Sequence, residues 1–129
     1  MKIFILTVLI AVSLTGSVVE ATGSSSRIDK AIAQFDEPVK LMGVVLKGRY
    51  LFLHHEGLMQ KGKPCTYAYA LDGEHPGRFV LSFHCEKVAR EKTAELKVIL
   101  SPKDLSGMAE IVEIQFPGAA EGHRVAVMH

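Results

Sequence analysis

The chain has 129 residues, 15 basic and 14 acidic side chains and a net charge of +1, a balance that offers no electrostatic footing for nucleic acid or an anionic membrane. With no tryptophan and 7% aromatic residues, it also lacks the surface for a sugar-stacking platform. Its length fits one ordinary domain with a single core.

Residues 1–21 read as a secretory signal peptide. Lys2 supplies the positive start, residues 3–14 are apolar, and Val19-Glu20-Ala21 resembles a cleavage site. The apolar run falls short of the roughly 20 residues of a spanning helix, so no stable membrane span is expected after cleavage. The expected destination is the periplasm or the extracellular space. Residues 22–36 then read as a polar leader and a short N-terminal helix. Ser26 and Asp29 imitate a capping box, Ile28, Ile32 and Phe35 fall at helical spacing, and Pro38 ends the run.

Residues 37–129 carry strand signals. VKLMGVVL is rich in β-branched residues, and RYLFLHH is apolar on both faces, as in a central strand. CTYAYAL and RFVLSFHC flank the turn-rich DGEHPG. TAELKVIL alternates with Leu96, Val98 and Leu100 inward, EIVEIQF with Val112, Ile114 and Phe116 inward, and RVAVM closes the chain. The spacing predicts a mainly β fold, an antiparallel β-sandwich or barrel of about seven strands with the short N-terminal helix.

The central hairpin can be registered from its own pattern. Folding it about His75 sets Leu71 against Phe79, Tyr69 against Leu81, Tyr67 against Phe83 and Cys65 against Cys85, with the large side chains on one surface. Directly opposite residues lie about 5 Å apart, close enough for a Cys65–Cys85 disulfide. An exported chain with two cysteines fits that bond, and no CxxC redox spacing occurs.

Six histidines are present, without HExxH, CxxCH or any other metal-ligand spacing. His54 and His55 are strand neighbours facing opposite ways, and so are His84 and Cys85. A metal site would therefore have to assemble across strands, from His54 or His55 with His84 and His123, and Glu56 or Glu86 at its rim. Such donors suit copper or zinc. The alternative is histidines bonded to backbone, with no cofactor. Residues 54–64 read as a flexible connection whose Met59, Lys61 and Lys63 can contact a partner. No catalytic constellation stands out, since Ser82 and His84 are about 6–7 Å apart along their strand.

The segments GRYLFLHHEGLMQKGKPCTYAY, LSFHCEKV and IQFPGAAEGHRVAV resemble small exported bacterial β proteins of unassigned function, over residues 48–127. The resemblance implies export and draws attention to His54, Cys65, His84, Cys85, Glu121 and His123, but implies no activity. The expected function is an exported, non-enzymatic binding or interaction module of the cell envelope, with a protein or small ligand as partner. The alternative is a copper- or zinc-binding protein using histidines.

Overall fold

A strand apolar on both faces needs a strand on each side. In the computed structural model, which describes residues 27–126, RYLFLHH has both. It forms the second half of β2 (Val44–His55), between β1 (Ile28–Leu41) and β3 (Thr66–Asp72) and antiparallel to both. The expected signal peptide and the TGSSS leader lie outside the described residues.

The expected N-terminal helix is instead the first part of β1. Ala33 and Phe35 are buried while Ile28, Lys30, Ile32 and Gln34 face outward, an alternation that the helical spacing of Ile28 and Ile32 conceals. So short a helix is marginal alone. As a strand the segment gains an unbroken ladder from Ile28↔His55 to Phe35↔Gly48. VKLMGVVL is likewise not one strand. Met42 and Gly43 both have positive φ, 51° and 82°, and form a two-residue turn that pairs Leu41 with Val44.

After β2 comes one helical turn, α1 (Glu56–Gln60), where the sequence suggests an open connection. The Glu56 N–H donates to the Arg27 carbonyl at 3.1 Å, tying α1 to the start of β1. The remaining strands are β4 (His75–Phe83), β5 (Cys85–Ala89), β6 (Lys97–Leu100), β7 (Ala109–Gln115) and β8 (Glu121–Val125). β5 is not anticipated by the sequence pattern.

The strand order is β4-β3-β2-β1-β7-β8-β5, with β6 also on β7, in a sheet curled into a half-barrel. All pairings are antiparallel except β1 with β7, a parallel seam of two residue pairs, Val39↔Ala109 and Lys40↔Glu110. The two ends of the order, β4 and β5, are joined through the single residue His84.

The hairpin register differs by one residue from the expected one. Thr66 pairs with Phe83, Tyr67 with Ser82 and Ala68 with Leu81, before a shift sets Tyr69 opposite Phe79 and Leu71 opposite Pro76. The tyrosines therefore face outward and Thr66 and Ala68 inward. Cross-strand packing explains this choice. Phe52 is flanked by Ala31 and Ala68, and Tyr50 by Ala33 and Ala70. The large residues of β2 already fill the inside of the curl, so its neighbours present alanine there.

A similar effect acts in β7. A bulge opposite Ile99 and Leu100 changes the phase, so Ile111 and Ile114 are buried while Val112 and Leu100, expected inward, are exposed. The core inside the curl includes Phe35, Phe52, Phe83, Phe116, Leu41 and Leu46. Buried polar groups brace β7. Arg90 holds Glu113 with two hydrogen bonds of 2.8 and 2.7 Å, and the Gln115 amide donates to the carbonyls of Glu91 and Ala119. Among the described residues no helix is long and apolar enough to cross a membrane.

Candidate metal centre

Strand pairing sets Asp29, His54 and Thr66 in one row across β1, β2 and β3. The row faces inward, and His54 is fully buried. From the other half of the sheet β8 brings His123, also buried, whose ring stacks on His54 with centroids 3.8 Å apart and planes 27° from parallel. The Phe116 ring lies about 6 Å from both imidazoles and closes the floor.

Two sulfurs complete the cluster. Cys65 precedes β3 and is fixed by its backbone, which accepts from the His55 N–H at 2.8 Å and donates to the Phe83 carbonyl at 3.2 Å. Cys85 opens β5. Because the strand breaks at His84, the Cys85 side chain reaches Cys65 even though the hairpin register would oppose Cys65 to His84. The Sγ atoms of Cys65 and Cys85 are in contact at 2.9 Å without a bond drawn between them, and Thr66 Oγ1 lies 3.6 Å from Cys85 Sγ. The donor atoms of His54, Cys65 and Cys85 fall within 4.8 Å of one another, and so do those of Asp29, His54 and His123.

Charged groups cover this pocket. Arg27 reaches Glu121 at 2.6 Å, Asp29 at 3.3 Å and Glu56 at 3.8 Å, and Lys87 pairs with the other oxygen of Glu56. Arg27 and Lys87 are partly exposed, whereas Glu56 is buried. Beneath them, His54 Nδ1 is 3.8 Å from both Asp29 Oδ2 and Glu56 Oε2, too far for a hydrogen bond.

The cluster concentrates unmet polar demand. Seven buried side-chain atoms have no hydrogen-bond partner among the described residues, and six of them are Asp29 Oδ2, Glu56 Oε2 and both ring nitrogens of His54 and His123. Arg27 offsets part of the cost at the two carboxylate oxygens, whereas an unmet imidazole nitrogen costs about 1–3 kcal/mol, so a fold that gathers four of them invites a ligand.

Burial, and secondarily His54, push the His123 imidazole down to about 4, leaving it neutral with a free lone pair near pH 7. Cys65 is pushed down chiefly by a hydrogen bond from the Cys85 thiol, against burial, with His54 adding to the effect. The same contact and burial push Cys85 up.

Of the histidines considered from the sequence, the structure brings together His54 and His123. His55 faces outward and packs edge-on against Tyr67 at 5.3 Å. His84 is exposed at the β4–β5 break, where its carbonyl accepts from the Ala126 N–H. His84 and Cys85 do point apart, but it is Cys85 that faces the cluster. Met59 lies on α1, and Lys61 and Lys63 in the turn after it. Sequence reasoning missed Asp29, Thr66, Arg27 and Lys87 as site residues. Asp29 shares parity with Ala31, Ala33 and Phe35, a signal available once residues 27–35 are read as a strand. Comparison with family models, curated proteins and solved structures found no match.

Proposed function

We propose that the protein binds a transition-metal ion, zinc or copper, in the pocket of Asp29, His54, Cys65, Cys85 and His123. The observation that carries this reading is one buried patch with four imidazole nitrogens that have no hydrogen bond, beside two carboxylate oxygens that only Arg27 approaches. Imidazole and thiolate are the donors these ions favour. Two ligands on one tetrahedral ion sit about 3.3–3.8 Å apart, as metal–ligand bonds of about 2.0–2.3 Å require. The 3.8 Å separations around His54 Nδ1 are too long for a hydrogen bond, and nitrogen and oxygen donors would close by roughly 0.5 Å around a shared ion. The sulfurs, at 2.9 Å, would part by roughly 1 Å to share an ion. The three carboxylates at the mouth favour entry of a cation, and the exposed stems of Arg27 and Lys87 can swing aside.

The test is a titration of untagged, reduced, metal-stripped protein with cobalt(II), a spectroscopic substitute for zinc. The expected result is uptake of one ion per chain, with a thermal shift worth about 2.7 kcal/mol at a hundredfold excess over Kd. His54→Ala, which removes the donor common to every set, should abolish both. Absence of uptake and of any shift with zinc, cobalt or copper(I) would overturn the reading.

A second reading, a binding module without a cofactor, has one observation in its favour. Ile32, Leu51, Tyr69 and Phe79 pair in register across β1 to β4 on the outer face, and Ile32 and Phe79 are 45% and 49% exposed. Lys30, Ile32, Leu51, Leu71 and Pro76 line a cavity of about 390 Å³ there. An apolar fluorescent dye should bind the native protein, and the double variant Ile32→Ser/Phe79→Ser should lose that binding without unfolding. Equal dye binding by both proteins would reject this surface.

A further inference from the structure

The cluster contains two donor sets that share one residue. His54, Cys65 and Cys85 form a soft set, and Asp29, His54 and His123 a harder one of nitrogen and oxygen. Among the described residues the two sets meet at His54, and neither brings the sulfurs together with both Asp29 and His123. The two sulfurs are in direct contact, so a small side-chain movement either forms a disulfide or opens the pair around an ion.

We propose that Cys65 and Cys85 form a redox selector that decides which donor set holds the ion; this rests on the metal-binding reading above. With the thiols reduced, the soft set takes copper(I) or zinc. With the disulfide formed, both thiolates are withdrawn, and only Asp29, His54 and His123 remain for zinc or copper(II). Export, expected from the first residues, would expose the pair to such oxidation.

The chemistry balances with a low-molecular-weight disulfide as oxidant. Cys85, the more accessible sulfur, gives up its proton and attacks as a thiolate, forming a mixed disulfide and releasing one thiol, which takes up that proton. Cys65 then attacks Cys85 Sγ, the Cys65–Cys85 bond forms, and the second thiol leaves. The oxidant gains two electrons, and the two protons lost by the cysteines end on the departing thiols.

The test compares cobalt(II) binding by the whole protein reduced and after oxidation with glutathione disulfide. The reduced form should show a sulfur-to-cobalt charge-transfer band that Cys65→Ser and Cys85→Ser each diminish. The oxidised form should bind cobalt without that band. Asp29→Asn should weaken the oxidised form by at least about tenfold and the reduced form by less than about twofold, with His123→Gln as a second probe of the same set. Circular dichroism checks that each variant is folded. Unchanged spectrum and affinity on oxidation, equal weakening of both forms by Asp29→Asn, or binding confined to the reduced form would overturn the selector while leaving the metal-binding reading intact. Absence of cobalt binding in both forms would overturn both.

Discussion

Gly122 shows how closely the second half of the sheet is fitted around its buried charges. A methyl group there would run into the Glu113 carboxylate, which two of the Arg90 guanidinium nitrogens hold in place. Gly122→Ala should destabilise the fold by about 1–3 kcal/mol in urea unfolding, and should also disturb neighbouring His123. The Arg90–Glu113 pair makes a pH prediction as well. The Arg90 hydrogen bonds hold Glu113 below its ordinary value of 4.5, against the opposing effect of burial. A carboxylate depressed in the folded state stabilises it above the unfolded pKa, and that stability is lost as pH falls through the folded value. The melting-temperature advantage of the native chain over Glu113→Gln should therefore be full near pH 6 and shrink below 4.5. Much at this scale was legible in sequence, since His54, His123 and both cysteines stand out by residue type. Asp29 did not, because nothing local distinguishes a capping aspartate from a buried one.

Elements were harder to read where the deciding contact is distant. Residues 27–35 satisfy a helical spacing, yet β2 offers a complete ladder and the segment takes it. The hairpin of β3 and β4 misled for a related reason. Pattern alone favours burying Tyr67 and Tyr69, whereas Phe52 and Tyr50 occupy the inside and leave only alanine-sized room beside them. The strands themselves were readable from alternation and turn residues, although β5, short and half-exposed, carried no such signal. The β1–β2 turn offers a direct check. Met42 holds a left-handed φ of 51° that a methionine adopts at some cost, beside a glycine that does so freely. Met42→Asn supplies the preferred Asn-Gly pair and should stabilise the protein by about 0.5–1 kcal/mol in thermal or urea unfolding.

The described residues form two sets of strands, β1 to β4 and β5 to β8, with the pocket between them. Asp29, His54 and Cys65 come from the first set, and Cys85 and His123 from the second. Such a site sacrifices apo stability for binding. His123→Leu, which removes two nitrogens without hydrogen bonds, should raise the stability of the metal-free protein by about 1 kcal/mol while abolishing cobalt uptake by the oxidised form. A matched loss of stability and uptake would instead mark His123 as a packing residue. The parallel seam has a further consequence. Only two residue pairs join β1 to β7. The halves should therefore breathe against each other about this hinge, with amide hydrogens of β7 and β8 exchanging well before those of β2. An ion held by residues of both halves would act as a clasp opposite the hinge. Loading should then slow exchange at amides far from any ligand, so that occupancy of one small pocket becomes readable as stiffness across the protein.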